Sequence, residues 1–217
     1  ASNDQARGTM CGVRIESAED GSVHAVATDT YRLASLELGT VEGFNAGAEA
    51  VIPAKALVEA NRHANGKVSV TLGENQVTFR SGDFEIRTRL LAGPYPAWRT
   101  IVPKELPPQI PVQGADLVAL LNRVTLLDTS TQRVEIEVKA GELTVTGGGK
   151  DSGTGSETMT VDSTEEFQVI LNPVFLKDAV EACGAGTITL GISDPQKPVF
   201  VTAEGLENWT AMVMPMR

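Results

Sequence analysis

The 217-residue chain is long enough for one large domain or two of ordinary size, and 41% hydrophobic with 21% charged residues is a soluble globular balance. A formal net charge of −10 argues against tight, salt-driven nucleic-acid binding, which needs clustered Lys and Arg, though a modestly basic face remains compatible with it. No apolar run is long enough to span a membrane.

The opening, Ala1 to Arg7, is polar and shows no secretory pattern. Residues 1–11 read as the tail of something larger, with Asn3 to Arg7 as a last helical turn. Strands follow at Gly12–Ser17, Val23–Thr28 and Tyr31–Leu38, with the turn Glu19-Asp20-Gly21 between the first two. A loop from Gly39 to Gly47 leads to a short strand ending at Ile52. Pro53 then introduces a helix, Ala54–His63, which Gly66 stops. Val68–Leu72, Gln76–Arg80 and Phe84–Leu91 alternate with period two and read as three more strands.

Six of the eleven prolines fall between Gly93 and Pro111, so this stretch reads as an extended connector rather than a regular element. Gly114–Leu127 is the clearest helix, with Leu117, Leu120, Leu121, Val124 and Leu127 on one face. Strands are expected at Arg133–Ala140 and Glu142–Gly147, then a loop over Gly148–Gly155, then strands at Thr158–Val161 and Phe167–Leu171. A helix at Pro173–Ala182 precedes three strands, Thr187–Ile192, Val199–Ala203 and Asn208–Met214.

This order occurs twice. Val13 and Ile15 match Val134 and Ile136, Ile52-Pro53 match Leu171-Asn172, Val70 matches Leu190, Val77 and Phe79 match Val199 and Val201, and Leu90-Leu91 match Val213-Met214. The offset stays near about 120 residues, which is a whole domain duplicated. Each copy is α+β with segregated helices. The domain reading is therefore 1–92, a connector over 93–111, and 112–217.

Candidate chemistry is sparse. Cys11 and Cys183 are far apart, as are His24 and His63, so neither pair has metal-ligand spacing; free thiols in a reducing cytoplasm are the expectation. Gly147-Gly148-Gly149-Lys150 lacks the spacing and the Ser/Thr of a phosphate-binding loop and reads as a flexible turn. No nucleophile and base stand in a recognisable context, so no enzyme and no cofactor are expected. The unusual feature is the sulfur-rich ending, Met212-Val213-Met214-Pro215-Met216-Arg217. A proline stops the ladder there, and methionines beyond it suit an adaptable contact surface. Ala27 to Leu33 and Gly93 to Arg99 share this apolar, turn-rich character, and the three stretches are expected to meet in a peptide-binding groove.

The phrase Ala27-Thr28-Asp29-Thr30-Tyr31-Arg32-Leu33-Ala34, the connector Tyr95-Pro96-Ala97-Trp98-Arg99 and the ending Val213-Met214-Pro215-Met216-Arg217, set in a duplicated domain, resemble the bacterial DNA polymerase sliding clamp, the beta subunit of DNA polymerase III. The resemblance covers essentially the whole chain. It implies the DNA clamp fold, with β-sheets outside and short helices on the DNA-facing side. It also implies a middle domain, lacking its opening helix, followed by a complete last domain. The family has three such domains and forms a homodimer ring, and a chain without the first is expected not to close it.

A clamp encircles duplex DNA and tethers the replicative polymerase. Retention is topological, so direct DNA contacts are weak, and Arg7, Lys55, Arg62, Arg123 and Lys177 are the DNA-facing candidates. Each is equally readable as an ordinary solvated helix charge. The polymerase, the clamp loader and other partners bind as short peptides between the middle and last domains. The resemblance places Met10, Thr28, Thr30, Tyr31, Arg32, Leu33, Pro96, Ile101, Met212 and Met214 at a deeper pocket. It places Asn172, Phe175, Pro198, Pro215, Met216 and Arg217 at its neighbour. Leu33 and Met212 are equally readable as core. Thr100 stands where the family commonly has a basic residue, and Thr131 where a larger side chain contributes. The alternative is a cytoplasmic β-repeat module that binds peptides unrelated to replication.

Overall fold

The structure, a computed structural model, describes residues 1–42, 44–103, 105–126, 132–149, 153–184 and 186–216. Leu127, Thr131, Lys150 and Arg217, all used in the sequence reading, lie outside the described residues. The chain divides into two compact units, Ala1–Ile101 and Val102–Arg217.

In the first unit, Asp4 accepts a hydrogen bond from the Ala6 N–H and caps a 3-10 segment, Gln5–Cys11. Four strands follow: β1 (Gly12–Ser17), β2 (Ser22–Thr28), β3 (Arg32–Thr40) and β4 (Glu49–Pro53). They pair in the order β4-β1-β2-β3. The helix α1 (Ala54–His63) leads to the meander β5 (Ser69–Leu72), β6 (Gln76–Ser81) and β7 (Phe84–Arg89). Ile52, Ala60, Val77 and Phe79 are buried together, with Ile15, Leu57, Ile86 and Leu90 packed around them.

The second unit opens with β8 (Gln109–Gln113) and α2 (Gly114–Thr125). Then come β9 (Val134–Lys139), β10 (Glu142–Gly149), β11 (Gly153–Thr160), β12 (Phe167–Leu171), α3 (Pro173–Ala182), β13 (Thr187–Gly191), β14 (Val199–Ala203) and β15 (Trp209–Val213). One sheet runs β11-β10-β9-β12, and β8, β13, β14 and β15 pair in that order. Leu117, Leu120, Leu121 and Val124 of α2 and Leu176 and Val180 of α3 close one core with strands from both sheets.

The duplication is visible in register. The order β4-β1-β2-β3 repeats as β12-β9-β10-β11. Val13 lies opposite Ile52, and Val134 lies opposite Leu171. Val70 lies opposite Phe79, and Leu190 lies opposite Val201. The final match needs correction. Val77 faces Thr88 and Val199 faces Val213, so Val213 corresponds to Thr88 rather than to Leu90. A slip of two residues leaves the buried face unchanged in a period-two element, so apolar phase alone does not detect it.

Two further expectations change. The stretch from Gly93 to Pro111 is not one connector. Its first part belongs to the first unit, where the Tyr95 hydroxyl donates to the Val26 carbonyl at 3.0 Å and Trp98 Nε1 donates to Glu16 Oε1 at 3.1 Å. Its end forms β8, which buries Ile110 and Val112 on alternate positions. Pro111 is tolerated because β8 lies at the end of the pairing order and needs ladder donors on one side.

Of the expected loop at Gly148–Gly155 and the flexible turn at Gly147–Lys150, the described residues, 147–149 and 153–155, are strand. Gly147 pairs with Gly155 and Gly149 with Gly153. Crowding is the reason for glycine: a Cβ at Gly147 would stand 2.9 Å from the Val124 carbonyl, and one at Gly148 2.2 Å from that of Gly153.

Candidate functional site

On the second unit, the chain leaves β15 and passes the edge strand β12. The Met216 N–H donates to the Ile170 carbonyl at 2.8 Å. Ile170 therefore points its backbone away from β9. Gln168, two residues back, presents its own N–H and C=O to the same edge. Beside the tail lies a depression of about 760 Å³, walled by Met214, Pro215, Met216, Val169, Ile170 and Pro195 with Glu135, Gln168 and Gln196. The Gln168 amide donates to the Glu135 carboxylate and forms the polar wall. Pro195 and Gln196 are held by a turn in which Asp194 accepts from the Gln196 N–H at 2.7 Å. Apolar and sulfur surface with a few polar groups suits short peptides with apolar anchors.

Met214, Pro215 and Met216 line this depression together, whereas the resemblance assigns Met214 to the deeper pocket and Pro215 and Met216 to its neighbour. Asn172 caps α3: its side chain accepts from the Val174 N–H at 2.9 Å. Phe175 is half-buried against the core, and Pro198 is half-buried just before β14. Met212 is buried on β15. Glu135, Gln168, Ile170, Pro195 and Gln196 were missed. The turn composition at Asp194 to Pro198 hints at Pro195 and Gln196 alone; the other three have no such signal, because an edge contact is not a local property.

On the first unit, the phrase Thr28 to Leu33 is a turn bonded to itself. Thr28 Oγ1 donates to the Arg32 carbonyl at 2.8 Å, and Asp29 Oδ1 accepts from the Tyr31 and Arg32 N–H groups, both at 3.1 Å. Asp29 also pairs with Arg32 Nε at 2.9 Å. Thr30 takes φ 78°, which is rare for a β-branched residue. Arg7 stabilises it, donating to the Asp29 carbonyl at 2.6 Å and to Thr30 Oγ1 at 2.7 Å. Tyr31 is 55% exposed, with the Arg7 guanidinium 5.5 Å from its ring centre. Thr28 and Leu33 are buried at the base of the turn, Met10 and Pro96 are half-buried, and Ile101 is exposed. Arg7, grouped with the DNA-facing cations in the sequence reading, thus sits on this turn.

The remaining cations lie on helices. Arg62 pairs with Glu59 at 2.7 Å on α1, where Lys55 is exposed. Lys177 donates to Asn122 Oδ1 at 2.8 Å, tying α3 to α2. Arg123 Nε reaches both Glu157 carboxylate oxygens at 2.7 Å. That hydrogen-bonded pairing raises the Arg123 pKa and holds the Glu157 carboxyl below its usual range.

Residues 1–97 match the family described as DNA polymerase III beta subunit, central domain, and residues 99–217 match the C-terminal domain of the same subunit. The chain belongs to the DNA polymerase III beta subunit family. Among curated relatives, the beta sliding clamp of Chlamydia muridarum is 28% identical and that of Synechocystis sp. 29% identical, each over the whole chain. The chain spans 59% and 60% of their lengths. The structure of Caulobacter crescentus pol III beta shares the fold at TM-score 0.91 and 23% identity, over 100% of this chain and 60% of that one. A Bartonella birtlesii sliding clamp solved bound to griselimycin does so at TM-score 0.92 and 21% identity, with the same coverage. The α+β architecture described above is that of the clamp family.

Proposed function

We propose that this chain acts as a DNA sliding clamp: a cytoplasmic, non-catalytic processivity factor that encloses duplex DNA and tethers the replicative polymerase, the clamp loader and other partners through short peptides. Family membership over both units supports the reading. The observation that carries the peptide-binding part is the sulfur-rich tail bonded to the β12 edge beside an open apolar depression. Methionine and proline walls re-pack around several partners, which a shared tethering surface requires. In this reading the Thr28–Leu33 turn, with Met10, Pro96, Ile101 and Met212, also receives apolar anchors. Asn172, Phe175, Pro198 and Arg217 complete the site.

Lys55, Arg62, Arg123 and Lys177 face DNA in the same reading. Three of them are engaged by neighbouring side chains, which suits a protein that must slide. Homodimer ring closure is proposed for the full-length protein, with all three domains.

The test is the affinity of a labelled peptide of pattern Gln-Leu-x-Leu-Phe for the chain and for Met214→Glu. Binding in the micromolar class, about −8 kcal/mol, is expected and is lost in the variant. A folded chain that ignores the peptide overturns the proposal for this surface.

A further inference from the structure

The depression beside the tail holds one charge. Among the described residues that line it, Glu135 is the one ionisable group. It stands on β9 directly opposite Ile170 of β12, the residue whose carbonyl holds the Met216 N–H. Its neighbours Val134 and Ile136 are buried in the core, so alternation sends the carboxylate to the other face of the sheet, with Gln168 and Ile170. There Glu135 is half-buried, whereas Glu137, two residues on, is exposed. The Gln168 amide donates to one carboxylate oxygen of Glu135. That amide satisfies a hydrogen bond without cancelling the charge, and among the described residues no cation pairs with Glu135. Asp29 and Glu157, by contrast, each hold an arginine.

We propose that Glu135 makes the site selective for peptides that carry a lysine or arginine beside their apolar anchors. This rests on the peptide-binding reading of the depression given above. An extended ligand following the β12 edge lies about 5 Å from that strand, and β9 lies about 5 Å further in. A cation that reaches Glu135 must therefore cross the Ile170 row on a long stem. Lysine and arginine have such stems, which cover apolar surface while the head group stays in water. Ile170 and Met216 supply that surface at the wall of the depression. A fully solvated ion pair contributes little, but half-burial among apolar side chains weakens the screening. The same carboxylate disfavours an acidic residue at that place, so selectivity comes from repulsion as well as attraction.

The test is fluorescence anisotropy of labelled, end-capped peptides on the full chain at low and moderate salt. The Gln-Leu-x-Leu-Phe pattern carries a single lysine before Gln, at x or after Phe, each compared with glutamine at the same place. At least one lysine peptide is expected to bind about three- to tenfold more tightly than its glutamine counterpart, with the gain shrinking as salt rises. Glu135→Gln, which keeps an acceptor for the Gln168 amide, is expected to bring that ratio to one. Glu142→Gln, the same charge change at an exposed position of β10 outside the depression, is expected to keep it. Replacing the preferred lysine by 2,3-diaminopropionate, the same charge on a single-methylene stem, is expected to forfeit the gain. Lysine and glutamine peptides that bind equally, or a lysine gain that survives Glu135→Gln, overturn the inference and leave the peptide-binding reading standing. A folded chain that binds none of the peptides overturns both.

Discussion

The Met216 N–H meets the Ile170 carbonyl at 2.8 Å, tying the sulfur-rich ending to the edge of β12. Met216→Pro deletes the donor, whereas Met216→Leu keeps it. The proline variant is expected to bind the polymerase-type peptide about tenfold more weakly, the loss of about one hydrogen bond's worth of order in the tail, with the leucine variant near the parent. Fluorescence anisotropy measures both. Equal affinities show that the tail does not shape the site.

Arg123 is held in a forked pair by Glu157. Glu157→Gln releases the guanidinium. If α2 faces DNA, the variant binds duplex more tightly at low salt, and log K falls more steeply with log salt, by about one in slope. A titration between low and moderate salt reads this. An unchanged slope removes Arg123 from the DNA-facing set.

Gly12 has an extended φ of −118°, so its need for glycine is spatial. A Cβ there would stand 2.7 Å from both the Ile52 carbonyl and Val51 Cγ1, and 2.9 Å from Leu91 Cδ1. Gly12→Ala is expected to destabilise the chain by about 1–3 kcal/mol through overpacking. Urea unfolding provides the number.

Asn172 caps α3 by accepting from the Val174 N–H at 2.9 Å. Asn172→Ala should cost about 1 kcal/mol, and Asn172→Ser should restore most of it. Peptide affinity measured on the folded serine variant then separates capping from recognition.

Burial pushes the Tyr95 phenol up to about 12 from 10. The folded state therefore keeps this proton after the unfolded state has lost it. The associated stability is complete below pH 10 and declines as pH rises toward 12. Tyr95→Phe lowers stability at neutral pH, since the bond to the Val26 carbonyl is gone. It should also show a smaller further loss between pH 9 and 11 than the parent. Guanidinium melts at the two pH values test the sign, and equal losses in both proteins contradict it.

Much of the architecture was readable because alternation and helical stripes are local. The face Leu117, Leu120, Leu121 and Val124 is fully engaged in the core, and β1, β14 and α3 fall where their patterns place them. The errors have physical causes. Proline density masked β8, since a strand at the end of a sheet tolerates Pro111. Glycine density masked the β10–β11 hairpin, where close backbone approach excludes a Cβ. The two-residue slip at β15 was invisible to a period-two signal.

The sequence by itself determined the strand periodicity, the duplicated order and the family phrases, because each is written in neighbouring residues and their spacing. Tertiary structure alone decided that Arg7 supports the Thr30 turn and that the tail lies on the β12 edge. It alone decided that Val70 is open while Leu190 is closed. Those outcomes depend on which distant backbone arrives at an edge or face, and pairing across such distances leaves no periodic trace in the chain.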